Sequence, residues 1–264
     1  MANKNLIVGA SSFIARHLND ELFDKVSYKD FGDLDLSQYN VVVNCALNPL
    51  YKTHGYGTSI DVDLDIGQKA CNSGCHYVMI STSKVYGNSN ELKTYTEFDK
   101  VQPFDHYSTN KLITENKLLG NYPTQVTILR GSNIFGFEYG RNSFVGYCMS
   151  QLVNEGQVTL SIDGFTQRDF LYVEDAAKII EKVCEVKPVG VYNLSSNQPI
   201  TAYNIIENLI RGYPYLGQIA GNGKIERQFA LDNTKLKKAL NIEIGPFDFD
   251  NIFYELGKKL WKTW

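Results

Sequence analysis

Four short apolar runs, each ending directly in small or hydroxyl-bearing residues, constrain the fold of this chain most tightly. They are Asn5-Leu6-Ile7-Val8 before Gly9, Val41-Val42-Val43-Asn44 before Cys45-Ala46, Tyr77-Val78-Met79-Ile80 before Ser81-Thr82-Ser83, and Val126-Thr127-Ile128-Leu129-Arg130 before Gly131-Ser132-Asn133. Each run is too short for a helix and rich in β-formers, so each reads as a buried strand. Helical spacing appears between them: Ile14, Leu18 and Leu22 around Arg16–Phe23, then Val62, Ile66 and Ala70 within Asp61–Cys71, then Leu112–Leu119. Strands alternating with helices predict an α/β fold with a parallel, doubly wound sheet. Ligands of such sheets lie beyond the carboxyl ends of the strands, where Gly9, Cys45, Thr82 and Asn133 fall.

The remainder is less regular. Val26-Ser27-Tyr28 reads as another short strand. Asp33-Leu34-Asp35-Leu36 comes next and Val41 follows almost immediately, with little room for a full helix–strand unit between them, so this half looks trimmed. Beyond about residue 138 the pattern loosens into helices at Phe144–Val153, Glu174–Val186, Ala202–Arg211, Asp232–Leu240 and Phe249–Trp261, with strands at Val158–Ile162, Gln167–Val173 and Val191–Leu194. The 264 residues are expected to divide into a dinucleotide-binding domain at 1–137 and a small mixed C-terminal substrate lobe at 138–264, with about 166–195 returning to the sheet.

Charge and composition exclude several classes. A net charge of −3 with no basic run argues against a nucleic-acid partner. No stretch reaches the roughly 18 apolar residues of a membrane span. Met1–Asn5 leads into only a short apolar run, so no secretory leader is expected. Five cysteines, mostly in apolar contexts, fit reduced thiols in a cytoplasm. Cys71, Cys75 and His76 lack a second ligand pair elsewhere; core packing accounts for them better than a metal, and no metal is expected.

Two stretches carry chemistry. Gly9-Ala10-Ser11-Ser12-Phe13-Ile14-Ala15 joins a strand to a predicted helix, as a turn that lets backbone approach a pyrophosphate would. Only Gly9 of the three usual glycines is present, and a plain tight turn is the alternative. Asp30 lies about twenty residues on, where an acid holds a ribose 2′-hydroxyl, while Lys29 could meet a 2′-phosphate. NAD and NADP therefore both stand. The second stretch runs from Ser81-Thr82-Ser83 through a long polar loop to Tyr107 and Lys111, four apart and so on one helix face. If the loop folds back, a phenol, an ammonium and a hydroxyl meet at a strand end. Tyr254 and Lys258 share the spacing but lie outside the alternating half.

Together these residues resemble the extended short-chain dehydrogenases/reductases that act on nucleotide-activated sugars. The resemblance covers nearly the whole chain. It rests on Gly9–Ala15, Ile80–Gly87, Tyr107–Lys111, Leu129–Gly136 and Arg168–Asp175, with Arg227, Asp232–Lys235 and Ala239-Leu240 matching a C-terminal signature. It implies a Rossmann domain, with the cofactor, NAD or NADP, against Gly9, Ser11, Ser12, Phe13, Ile14, Asp30, Cys45, Ala46, Ser81, Tyr107 and Lys111. It implies Tyr107 as general acid/base, Lys111 lowering its pKa and bonding the nicotinamide ribose, and Thr82 bonding the sugar oxygen. The nucleotide sugar would meet Ser83, Lys84, Asn133, Asn142, Arg168 and Arg227, with Arg168 on the diphosphate.

The 4,6-dehydratases of the family carry Asp and Glu after this Thr. Here Ser83 and Lys84 stand there, which disfavours dehydration. Reduction of a 4-keto-6-deoxy sugar is favoured, with 4-epimerisation as the alternative. A dinucleotide-binding sensor or scaffold without turnover is the alternative of another class. The family also implies a homodimer built on two helices per subunit.

Overall fold

The computed structural model describes residues 4–213, 217–221 and 223–263; Met1–Asn3, part of the leader reading, lie outside them. In chain order the elements are β1 (Lys4–Val8), β2 (Phe23–Val26), α1 (Tyr28–Phe31), β3 (Tyr39–Asn44), α2 (Val62–Asn72), β4 (His76–Thr82), β5 (Thr94–Tyr95) and α3 (His106–Asn121). Then come β6 (Val126–Gly131), β7 (Asn133–Phe135), α4 (Phe144–Glu155), β8 (Gln157–Thr159), β9 (Gln167–Tyr172), α5 (Val173–Val186) and β10 (Gly190–Leu194). The chain closes with β11 (Pro199–Thr201), α6 (Ala202–Gly212), β12 (Gln218–Ala220), β13 (Ala230–Leu231), α7 (Thr234–Leu240) and α8 (Phe249–Thr263).

The central sheet is parallel throughout, in the order β10-β6-β4-β3-β1-β2. Its registers align the strand ends. Val8 pairs with Asn44, Asn44 with Met79, and Thr82 with Gly131. Gly9, Cys45 and Ile80 therefore emerge along one rim. Successive strand residues point to opposite faces, and the core divides accordingly. Ile7, Val41, Val43 and Leu129 pack under Ile180 and Val183 of α5 and Leu236 and Leu240 of α7. Leu6, Val8, Val42 and Met79 pack under Ile66 and Ala70 of α2 and Leu118 of α3. Full burial of a side chain such as Leu118 stabilises by about 2 kcal/mol.

A three-stranded sheet, β11-β9-β7, contributes Phe135 and Phe170 to a separate core with Leu152, Ile205, Leu209 and Phe253. β10 returns to the central sheet and α5 covers one of its faces.

The structure corrects two sequence expectations near the N-terminus. Arg16–Phe23 is not a helix: only Ala15–His17 form a single 3-10 turn, Leu18 is already extended, and Leu22 is 47% exposed. The chain must enter β2 at Phe23, which leaves no length for a helix and a return. α5 supplies the missing cover instead, and the Asn19 amide donates to Glu181 at 3.0 Å. The strand expected at Val26–Tyr28 lies earlier, at Phe23–Val26. Ser27 breaks it by capping α1, its hydroxyl accepting from the Asp30 amide. The stretch before Val41 is short: between β2 and β3 only the four-residue α1 forms. No helix among the described residues is long and apolar enough to cross a membrane.

Candidate active site

The cleft at the strand ends is built around α3. Asp105 starts this helix, its carboxylate accepting from the Ser108 amide at 2.7 Å while Ser108 bonds back. That cap fixes the first turn, and with it Tyr107 and Lys111, against the end of β4. Lys111 is 3% exposed. Its Nζ donates to Asp63 Oδ2 at 2.6 Å and to the Ile80 carbonyl at 2.8 Å, and lies 5.9 Å from the Tyr107 ring centre. Asp63 arrives from the first turn of α2, and Asn44 at the end of β3 donates to its other oxygen at 2.7 Å. Two strand ends and two helices thus converge on one ammonium.

The electrostatics of this cluster are balanced. Burial alone would lower the Lys111 pKa, but the facing Asp63 carboxylate holds it above the ordinary lysine range. Burial pushes the Tyr107 phenol up; Lys111 pulls it down, and Asp63 and Asp105 push it up again. The net direction for Tyr107 is up.

A cleft of about 460 Å³ runs from the glycine turn to these groups, lined by Ser12, Phe13, Ile14, Cys45, Ala46, Tyr107 and Lys111. Gly9 has φ +97°, and a Cβ there would lie 2.5 Å from the Ala46 nitrogen. Only glycine lets the turn close against the loop after β3. The cleft, with a polar cluster at one end and a glycine turn at the other, fits a dinucleotide.

A second cleft of about 420 Å³ adjoins it, lined by Lys84, Phe104, Asn133, Arg168 and Arg227 among others. Lys84 borders both clefts and pairs with Asp105 at 2.7 Å. Arg227 donates to the carbonyls of Gly87 and Ser83 at 2.9 and 2.8 Å and to the Ser83 hydroxyl at 3.2 Å. Arg168 donates to the Arg227 carbonyl at 2.9 Å. Burial, reinforced by the neighbouring Arg168 charge, lowers the Arg227 pKa to about 10; burial also lowers that of Arg168. Two guanidiniums held together at a cavity wall are matched to an anion with several oxygens. Glu226, 3.6 Å from Arg168, compensates only in part.

Other predicted residues lie elsewhere. Ser81 is buried and its hydroxyl bonds Glu115, which also holds Arg130 at 2.7 Å; it does not line the cleft. Asp30 is exposed on α1, accepting from the Ser27 hydroxyl at 2.6 Å, outside the cleft. Thr82 is nearly buried, its hydroxyl accepting from the Lys84 amide at 3.2 Å, between cleft residues Ile80 and Lys84. Ser11 and Asn142 are exposed and line neither cleft. Cys75 donates to the carbonyls of Leu36 and Tyr39, and His76 bonds Thr127 at 2.7 Å. Tyr254 and Lys258 lie on α8, with Lys258 paired to Glu255.

Sequence reasoning missed Asp63, Lys52, Asp105 and Arg141, all placed at the cleft or on its lysine. One signal was present for Asp63. It shares the buried face of α2 with Ile66, Gly67 and Ala70, and an acid in an apolar helical stripe needs a partner.

Comparison with known proteins bears on the family and the fold. A family model described as the NAD dependent epimerase/dehydratase family matches residues 35–195. Among curated relatives, the low-salt glycan biosynthesis protein Agl12 of Haloferax volcanii is 24% identical over 208 residues, covering 72% of this chain and 62% of its own length. The chain thus spans less than two thirds of that relative. Among solved structures, a UDP-N-acetylglucosamine 4-epimerase from Methanobrevibacter ruminantium M1, in complex with UDP-N-acetylmuramic acid, superposes with a TM-score of 0.82 at 18% identity, covering 100% of this chain and 99% of that one. RMD from Pseudomonas aeruginosa, complexed with NADPH, gives 0.81 at 19% identity, covering 99% and 100%. With more than half its length matched and the fold shared end to end, the chain belongs to the NAD dependent epimerase/dehydratase family.

Proposed function

We propose that the protein uses NAD(P)H to reduce a nucleotide-activated 4-keto-6-deoxy sugar at carbon 4. One observation counts against dehydration: the two residues after Thr82 are Ser83, bonded to Arg227, and Lys84, paired with Asp105. Neither can remove a proton from a sugar carbon as a carboxylate would, and the cleft's Asp105 is held by Lys84 and by the Ser108 amide. The bound cofactor supplies the hydride. Tyr107 donates its proton to the alkoxide forming at carbon 4, and the Thr82 hydroxyl holds that oxygen. Lys111 stabilises the phenolate left behind. Arg168 and Arg227 take the substrate diphosphate, Asn133 and Lys84 border the sugar, and Ser12–Ile14 with Cys45 and Ala46 take the cofactor.

The Asp63 carboxylate supports the reductive direction. Burial first, and then Asp63 and Asp105 against the pull of Lys111, keep the phenol protonated, as an acid must be before a ketone accepts hydride. A homodimer belongs to the same reading, though Asp65, Asn72, Asn116 and Asn121, exposed on α2 and α3, are polar, the composition of a weakly associating surface.

The test incubates the protein with NADH or NADPH and a panel of nucleotide 4-keto sugars. Loss of reduced-cofactor absorbance is the expected result. Isomers interconverting with constant absorbance would mark an epimerase. Bound nucleotide without turnover would mark a sensor. Tyr107→Phe should lower turnover by at least about a hundredfold while cofactor affinity holds; retained turnover contradicts the role.

A further inference from the structure

The glycine turn lacks what such turns usually present to a diphosphate. The segment after it is one 3-10 turn, Ala15–His17, so no α-helix starts from the glycine turn. Several of the turn's amides are spent inside the protein. Those of Gly9 and Ala10 donate to the Val26 carbonyl, that of Ser12 to the Gly9 carbonyl, and that of Ala15 to the Ser12 hydroxyl. The amides of Ser11, Phe13 and Ile14 carry no such bond, but a dinucleotide lying here would bring two negative charges to a turn that offers them no full positive charge.

A neighbouring loop provides a cation. Arg141, in the loop between β7 and α4, lines the same cleft as Ser12, Phe13 and Ile14. Its guanidinium lies 4.1 Å from the centre of the Phe13 ring, against the glycine turn. Glu138, buried beneath it, accepts from Nη1 at 2.7 Å and also bonds the Ser143 hydroxyl at the start of α4. The Arg141 side chain is 41% exposed and that of Glu138 only 1%. The carboxylate therefore anchors one edge of the fork, and the aromatic ring fixes its plane. An arginine has five N–H donors and the bond to Glu138 uses one. Of the other cleft-lining cations, Lys84 and Lys111 are committed to Asp105 and Asp63, and Lys52 stands 6.0 Å from the Tyr107 ring.

We propose that Arg141 binds the cofactor diphosphate, doing for this chain what the missing helix N-terminus would do. The proposal rests on the reading of the cleft as a dinucleotide site. The role suits a planar, bidentate donor held from behind. It also gives a purpose to the buried Glu138 that holds this half-exposed guanidinium over the Phe13 ring.

Calorimetric titration of the full chain with NADH, ADP, UDP and adenosine tests it. Arg141→Gln should weaken NADH and ADP roughly tenfold to a hundredfold, the loss of charged hydrogen bonds, and leave adenosine unchanged. Arg141→Lys should restore part of the loss. Because the single variant leaves Glu138 buried without its partner, Glu138→Gln with Arg141→Gln should show the same nucleotide pattern in a fold without that strain. Unchanged NADH affinity in the double variant overturns the proposal while the dinucleotide reading stands. So does a loss shared equally by adenosine, or one confined to UDP, which would assign Arg141 to the sugar nucleotide. A wild-type chain that binds no NADH overturns both.

Discussion

A buried carboxylate beside Lys111 has opposite consequences for the two directions of hydride transfer. Oxidation of a carbinol needs phenolate, and Asp63 opposes phenolate; reduction of a ketone needs phenol, and Asp63 preserves it. Reduction is lost as pH rises through the Tyr107 pKa. Asp63→Asn removes one of the charges that hold this pKa up, so the alkaline limb of the pH–rate profile should move to lower pH. A limb that stays in place contradicts the coupling. At the decoy, Tyr254→Phe on α8 should leave turnover within about twofold of wild type, since its lysine is paired with Glu255 away from both clefts; a dead variant would mean the wrong tyrosine has been assigned. Tyr107 was legible because it follows a hydroxyl-rich strand end. Asp63 was not, because an isolated acid in a helix also reads as a solvated residue until the partner strand and helix are placed.

The glycine turn shows what an element can lose while its position is kept. Strand ends, order and register put Gly9, Cys45 and Ile80 on one rim, as the alternation of apolar runs indicates. The helix expected over Arg16–Phe23 has the right spacing yet does not form. Periodicity records which residues face the core, and Leu18 does face it; it does not record how soon β2 must begin. Gly9→Ala should destabilise the fold by about 2 kcal/mol or more, from the left-handed φ and the contact with the Ala46 nitrogen. A thermal melt should show a fall of roughly 4 °C or more, and an unchanged melt would refute the close approach.

At the scale of the molecule, the sheet is pinned far from the clefts by His76, whose ring bonds Thr127 between β4 and β6. Burial, aided by the Lys187 charge, lowers its pKa to about 4. The imidazole is neutral in the folded chain and protonates more readily once unfolded. Its contribution is full above about pH 6.5 and is lost as pH falls through 4, on the order of 2–3 kcal/mol. The melting-temperature gap between wild type and His76→Gln should therefore shrink between pH 7 and pH 4; a gap that widens on acidification contradicts this. The lobe was legible as elements but not as an arrangement. Arg168 and Arg227 meet because Arg168 bridges to Phe229 as a backbone pair, a contact between distant segments that local spacing does not encode.

Direct transfer of hydride to carbon 4 is best followed with cofactor carrying deuterium at its transferable position. One deuterium should appear at carbon 4 of the product for each cofactor oxidised, and none with Tyr107→Phe. Interconverted isomers with no label and no oxidised cofactor would contradict net reduction.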